Sequence, residues 1–387
     1  MQLTNQEAER LVREGVEALR QGRHGEARAR LEQVTATGRA GAQIWLLLAT
    51  ACRGEGKAEA AERALDALLK LEPHAVRGLI MKGDCRVAAG DEQAAVLLYG
   101  TALRVSDGQD VPPELAAELR RAEAATKAIG AGVASRLEAA LSSRGYPDGS
   151  RSSRFQQSLD IFAGRRRLFL QEPTLFYYPE LPHIAWFDTA PFDWVPALEA
   201  ATEAIGRELA AAMAERKNFE PYIRSEPHLP RTHPLLDRPD WSALFLAENG
   251  AMFDDVIARC PATWAALQAV PLIRIPGFGP TLMFSLLQPR TRIPAHSGSH
   301  NIRLTCHLPL IVPPGCGFRV GNETRAWEAG KLLIFDDTIE HEAWNDSDQD
   351  RVVLIFDIWR PEFTAREREE LTAFFSLGEA GGRPKGG

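Results

Sequence analysis

The chain has 387 residues, 45% of them hydrophobic and 25% charged, with a net charge of −7. A length of this order exceeds what one core serves, so at least two domains are expected. The acidic balance supplies no general basic field for nucleic acid, and no apolar run approaches the roughly 18 residues of a membrane span, so neither partner is expected.

Five cysteines, Cys52, Cys85, Cys260, Cys306 and Cys316, are widely spaced and include no Cys-x-x-Cys pair. This argues for a reducing compartment and against a disulfide framework or a thiolate zinc site. Residues Met1 to Glu7 are polar and run straight into a helical pattern, without the apolar core of a signal peptide. A cytoplasmic location is the expectation.

The first third repeats itself. Gly22, Gly56 and Gly90 are 34 residues apart, as are Ala27, Ala61 and Ala95, and Leu31, Leu65 and Tyr99. A third column of small residues, Gly15, Ala49 and Gly83, keeps the interval where paired helices must approach closely. The period is that of tetratricopeptide repeats, whose pattern Trp45, Leu48, Ala61 and Pro73 match best in the middle unit. Leu115 to Leu141 reads as one or two further helices capping the array. Residues 1–141 therefore form an all-α repeat domain, either a packing module or a groove for a peptide.

Residues 142–152, rich in Ser, Gly and Pro, mark a linker. Beyond it the pattern turns to Pro-punctuated aromatic segments, one amphipathic helix at Val195 to Glu215, and a long loop-rich stretch. From Thr281 short strands are expected: Met283 to Gln288, Asn301 to Val312, Lys331 to Phe335 and Val352 to Trp359. In the second of these Ile302, Leu304, Cys306, Leu308 and Leu310 share one face, and Arg303, Thr305 and His307 the other. An apolar outside with a polar inside suits a double-sheet jelly roll, whose interior houses ligand and metal sites. Residues 153–377 form this second domain, and the Gly-rich 378–387 a disordered tail.

His296 and His341 each stand beside an expected strand end, and neutral imidazole suits iron, copper, zinc or nickel. Arg351, ten residues after His341 on an apolar strand, would be costly to bury without an anion. Its planar fork fits a carboxylate. Ser285 could add a hydroxyl to that carboxylate, and His307 could hold a second carboxylate or a water. Together these describe a pocket for a dianion beside a metal.

The run from His296 through Ser-Gly-Ser-His-Asn-Ile-Arg-Leu-Thr-Cys to His307, with Gly321-Asn-Glu-Thr, Trp327, Phe335-Asp-Asp-Thr-Ile-Glu-His341-Glu-Ala-Trp344 and Arg351, resembles the aspartyl/asparaginyl β-hydroxylase family. The likeness extends from about Tyr178 to Pro361, through Trp186-Phe-Asp188, Trp241-Ser242 and Cys260-Pro261. It implies a double-stranded β-helix, cupin-like in form, using Fe(II), O2 and 2-oxoglutarate to hydroxylate an Asp or Asn side chain. By the same resemblance His296 and His341 bind iron, Ser285 and Arg351 take the C5 carboxylate of the keto acid, and His307 its C1 carboxylate.

Gly298 stands where most such oxygenases place a carboxylate ligand, and the resemblance implies water there, with Asp337 and Glu340 orienting the imidazole or that water. His300 is expected to line the entrance, and Phe335 and Trp344 either to wall the site or to pack the core. Many relatives carry arginine where this chain has Thr305. Arg303, or a water on Thr305, is expected to compensate at the C1 carboxylate. The expected substrate is a peptide or protein presented to the repeats; the alternatives are a small molecule or lipid-linked acyl group, or a non-catalytic repeat scaffold. Target recognition is expected between Leu229 and Pro276.

Overall fold

A computed structural model describes residues 3–215, 219–225 and 233–377. The chain divides into two units, Met1–Arg166 and Arg167–Gly387.

In the first unit helices pair in sequence: α1 (Asn5–Arg20) with α2 (His24–Thr35), α3 (Ala42–Gly54) with α4 (Ala58–Leu71), and α5 (Val76–Ala88) with α6 (Glu92–Ser106). The glycine column is the turn within each pair, at φ 70°, 77° and 78° for Gly22, Gly56 and Gly90, a conformation that a Cβ disfavours. The small-residue column serves packing, since any side chain at Gly83 would run into the Tyr99 ring. Ala27, Ala61, Ala95, Leu31 and Leu65 are completely buried. A single helix, α7 (Pro113–Ser143), caps the array and buries Leu119 and Ala122 against the Tyr99 cluster.

The boundary differs from the expected linker at 142–152. Helix α7 continues to Ser143, and α8 (Ser153–Phe162) groups with the first unit. Arg165 ties them, donating to Asp160 at 2.9 Å and to Glu138 of α7 at 2.5 Å. The division therefore falls after Arg166, because side-chain pairing across a polar turn outweighs its linker-like composition.

The second unit contains β1 (Trp186–Phe187), β2 (Glu220–Pro221), β3 (Trp241–Glu248), β4 (Ala251–Met252), β5 (Leu282–Leu287), β6 (Thr291–His296), β7 (Arg303–Ile311), β8 (Cys316–Val320), β9 (Glu323–Arg325), β10 (Leu333–Phe335), β11 (His341–Asn345) and β12 (Arg351–Trp359). One sheet runs β1-β10-β7-β12-β5-β3-β2, with β4 on β3; the other runs β6-β11-β8-β9. All pairings are antiparallel. The fold class is thus helical repeats followed by a two-sheet β domain, an arrangement compatible with a jelly roll.

The inverted alternation of β7 has a simple cause. Leu304, Cys306 and Leu308 join Phe284, Leu354 and Phe356 under α9 (Val195–Ala200), α10 (Thr202–Glu215) and α12 (Pro261–Gln268), so the outer face is covered by helices, not water. The inner face meets the small sheet, with Leu287, Val353 and Phe335 against Ile293, Phe318 and Ala343.

The helix expected over Val195 to Glu215 is broken at Ala201, where the Thr202 hydroxyl donates to the Glu199 carbonyl. The stretch expected as loops contains β3, β4, α11 (Asp254–Arg259) and α12. Leu229 with its neighbours 226–232, and the tail 378–387, lie outside the described residues. No helix among the described residues is long and apolar enough to cross a membrane, and the five cysteines are free thiols.

Candidate active site

β6 and β11 pair so that His296 lies directly opposite His341. The ladder slips there: His341 and Ala343 are two positions apart while their partners His296 and Ile293 are three apart, leaving a bulge at Pro294–Ala295. A bulge re-aims the residue beyond it. Ile293 and His296, which a regular strand would send to opposite faces, therefore both turn inward. Proline is tolerated at a bulge because no ladder donor is needed.

The two imidazoles are 4.2 Å apart between ring centroids, at 53°. The Nδ1–H of His296 donates to the Pro294 carbonyl at 2.8 Å, and that of His341 to the Ile339 carbonyl at 3.1 Å. Because a carbonyl can only accept, both rings keep the lone pair on Nε2, the tautomer a metal requires. Burial pushes His341 down to about 3, reinforced by His296, and lowers His296 as well. Both are neutral at pH 7. Among the described residues no group of three His, Cys, Asp or Glu side chains is placed to hold a metal.

The third position belongs to Gly298, where any side chain would collide with the Asp337 carboxylate. Asp337 Oδ2 accepts from Arg303 at 3.4 Å, and its buried Oδ1 has no partner among the described residues. Burial raises this carboxyl to about 7, against the opposing pull of Arg303. Arg303 also donates to Asp357 at 2.9 Å, and Asp357 accepts from the Thr305 hydroxyl at 3.2 Å. Burial alone would lower the Arg303 guanidinium; its two carboxylates more than reverse that.

Deeper on the inner face lies Arg351, 1% exposed, with its Nε unpartnered and no ion pair among the described residues. Its guanidinium sits over the Trp327 ring at 4.4 Å. Burial pushes it down to about 10. β12 pairs with β5 so that Val353 faces Ser285 and Arg351 faces Leu287, making Ser285 the diagonal inner-face neighbour of Arg351. The Ser285 oxygen accepts from the Trp241 indole at 3.1 Å, which leaves its own proton to donate. His307 packs against the rings of Phe318 and Phe335, 5.0 and 4.9 Å away, with Nδ1 unpartnered among the described residues. Burial, then Arg351 and His341, hold it neutral. A buried cation, a free hydroxyl proton and an orphaned imidazole suit a carboxylate-bearing ligand beside a metal held by two Nε2 atoms.

Several expectations change in detail. Backbone carbonyls, not Asp337 or Glu340, orient the imidazoles, and Glu340 instead accepts from Arg319 at 2.9 Å. His300 is buried against Phe278 and Phe375, at 4.9 and 5.4 Å. Phe335 walls the site 5.6 Å from His341, whereas Trp344 packs over Gly317 and beneath Arg292. Asp357 was not singled out by sequence, although a carboxylate within Val-Val-Leu-Ile-Phe-Asp-Ile-Trp is itself a signal of buried charge. Trp241 and Trp327 acquire their roles only through contact.

The molecule is thus a helical repeat array joined to a two-sheet β domain with a histidine pair on its inner face. Residues 199–361 match the family model described as Aspartyl/Asparaginyl beta-hydroxylase, and residues 18–82 that of the Tetratricopeptide repeat. The chain is therefore similar to the aspartyl/asparaginyl β-hydroxylase family over residues 199–361 and to tetratricopeptide repeats over residues 18–82. It is 34% identical over 187 residues to the human Aspartyl/asparaginyl beta-hydroxylase, covering 48% of this chain and 24% of that one. It is 36% identical over 187 residues to the Ornithine lipid ester-linked acyl 2-hydroxylase of Rhizobium tropici, covering 48% and 63%. With the human Aspartate beta-hydroxylase domain-containing protein 2 it shares 32% over 217 residues, covering 54% and 56%. The chain spans less than two thirds of the length of each.

Proposed function

We propose that the β domain is an Fe(II)- and 2-oxoglutarate-dependent hydroxylase. The observation that carries this reading is the coincidence, on one inner face, of two imidazoles whose Nε2 lone pairs are available and a buried guanidinium without an anionic partner among the described residues. His296 and His341 hold the metal, and Asp337 Oδ1 accepts from a water at the third position. Arg351 and Ser285 receive the C5 carboxylate, and His307 the C1 carboxylate. When bound, Fe(II) supplies the oxidative chemistry in which 2-oxoglutarate, O2 and a substrate C–H give succinate, CO2 and the alcohol. The protein's share is to orient the keto acid, keep the C–H in reach and exclude bulk water, which Phe335, Phe318 and Trp327 do by walling the pocket.

The substrate supported by the family is an Asp or Asn side chain of a peptide or protein, presented by the repeat array. A lipid-linked acyl group is the second reading. It is favoured by the Rhizobium tropici relative and by Leu168, Leu170, Leu175 and Tyr177, all more than half exposed. They lie on a segment hydrogen-bonded to the carbonyls of Gly298, Ser299 and Thr338, in the histidine-bearing loops. Anaerobic addition of Fe(II) and 2-oxoglutarate should give a visible charge-transfer band that is absent in His296→Ala and His341→Ala. No band in the wild type would overturn the reading. Succinate release driven by an Asp- or Asn-containing peptide, as against an acylated lipid, decides between the substrates.

A further inference from the structure

One guanidinium serves two buried carboxylates around Thr305. On the paired strands Thr305 faces Asp357, and Arg303 faces Trp359, so the Arg303 side chain leans along the strand, past Thr305, to reach Asp357 at 2.9 Å. The Thr305 hydroxyl holds the other Asp357 oxygen at 3.2 Å. At its far end Arg303 Nη2 reaches Asp337 at 3.4 Å, leaving Asp337 Oδ1 buried and without a partner among the described residues. That carboxylate is packed on Gly298, two residues after His296. Burying two carboxylates with one cation is costly, so the arrangement calls for a role beyond packing. A guanidinium at position 305 would face Asp357 directly and take it from Arg303; the small threonine is what lets Arg303 pass.

We propose that Asp357, steadied by Thr305, is a positioning residue that clamps Arg303 onto Asp337. Arg303 thereby serves the third metal position rather than the keto-acid C1 carboxylate. This rests on His296 and His341 binding a metal. The clamp fixes Asp337 Oδ2 against Arg303, so that the whole carboxylate, with Oδ1 unpartnered among the described residues, is held against Gly298. Loss of Asp357 frees Arg303 to swing, and Asp337 loses its orientation while Arg351, Ser285 and His307 remain in place.

The test is titration of the full chain with Co(II) alone, read by visible absorption, followed by calorimetric titration of the Co(II)-saturated protein with N-oxalylglycine. Asp357→Asn is expected to weaken Co(II) binding roughly 10- to 100-fold, the usual effect of losing an outer partner of a metal site, and to alter the Co(II) spectrum. N-oxalylglycine affinity should stay unchanged. Asp337→Asn should behave alike, and the double variant should be no worse than either single one. Thr305→Val, a milder change that spares the charges, should weaken Co(II) on the order of 3- to 10-fold, as for one lost hydrogen bond. Unchanged Co(II) affinity in Asp357→Asn and Thr305→Val, additive losses in the double variant, or a loss confined to N-oxalylglycine would overturn the clamp. Wild-type Co(II) binding that survives removal of both His296 and His341 would overturn the metal reading along with it.

Discussion

Two arginines flank strand β12, Arg351 at its start and Arg360 just past its end, and both are buried. Arg360 has its charge met within the protein, with Nε 3.5 Å from Glu362 but without a hydrogen bond there. It donates to Asp336 at 2.7 Å and to the Pro182 carbonyl at 2.9 Å, and Asp336 is further satisfied by Gln171 and Thr338. Among the described residues Arg351 has only the face of Trp327. The same side chain at equal depth thus does two jobs. One closes a network that anchors the loop leading to His341, and the other leaves a charge that something from outside must neutralise.

The contrast is sharpest in stability. Arg360→Ala leaves the Asp336 carboxylate buried without its cation, and should cost about 3–5 kcal/mol in urea unfolding; wild-type stability would dissolve the distinction. Arg351→Met removes an uncompensated charge, so unliganded stability should hold or rise. N-oxalylglycine binding to the metal-loaded protein should fall by on the order of 2–5 kcal/mol by calorimetry. If Arg351→Met instead unfolds as readily as Arg360→Ala, Arg351 is structural.

A third guanidinium placed nearby probes what lies between the two. Thr305→Arg, which sequence alone would credit with tighter keto-acid binding, should instead take Asp357 from Arg303. We expect weaker Co(II) binding by roughly 1.5–3 kcal/mol, the range for a hydrogen bond to a charged group, without any gain for N-oxalylglycine. Tighter N-oxalylglycine binding would show that Arg303 is not held as described. A control far from these arginines is Gly83→Ala, whose new methyl meets the Tyr99 ring. It should cost about 1–3 kcal/mol through overpacking and leave ligand affinity untouched, measured by thermal unfolding and the same titrations.

Much of this was legible in the residues. The 34-residue columns became turns and packed helix pairs, because a positive φ and a close approach each demand a small residue wherever they recur. The alternation of β7 placed Arg303, Thr305 and His307 inside, since period two survives in any strand. What sequence could not reveal was set by pairing across strands. Asp357 is two register steps from Trp359 and opposite Thr305 only once β12 lies on β7. Glu340 and His300 lie near the ligands in sequence, yet Arg319 and the Phe278–Phe375 cluster draw them elsewhere. The boundary after Arg166 depends on one arginine bridging two helices, which composition does not encode.

The bulge at Pro294–Ala295 makes the meeting of His296 and His341 a matter of parity. A strand assigns its residues to alternate sides by counting, and the extra residue in β6 shifts that count by one between Ile293 and His296. Pulling the bulge flat would remove no donor, charge or ring from the site, yet regular alternation would then turn His296 toward the opposite side of the sheet from Ile293, whereas deleting Ala295 would leave the two residues two positions apart and both inward. The meeting of the two imidazoles is therefore stored in the local register of one strand as well as in the identity of the residues.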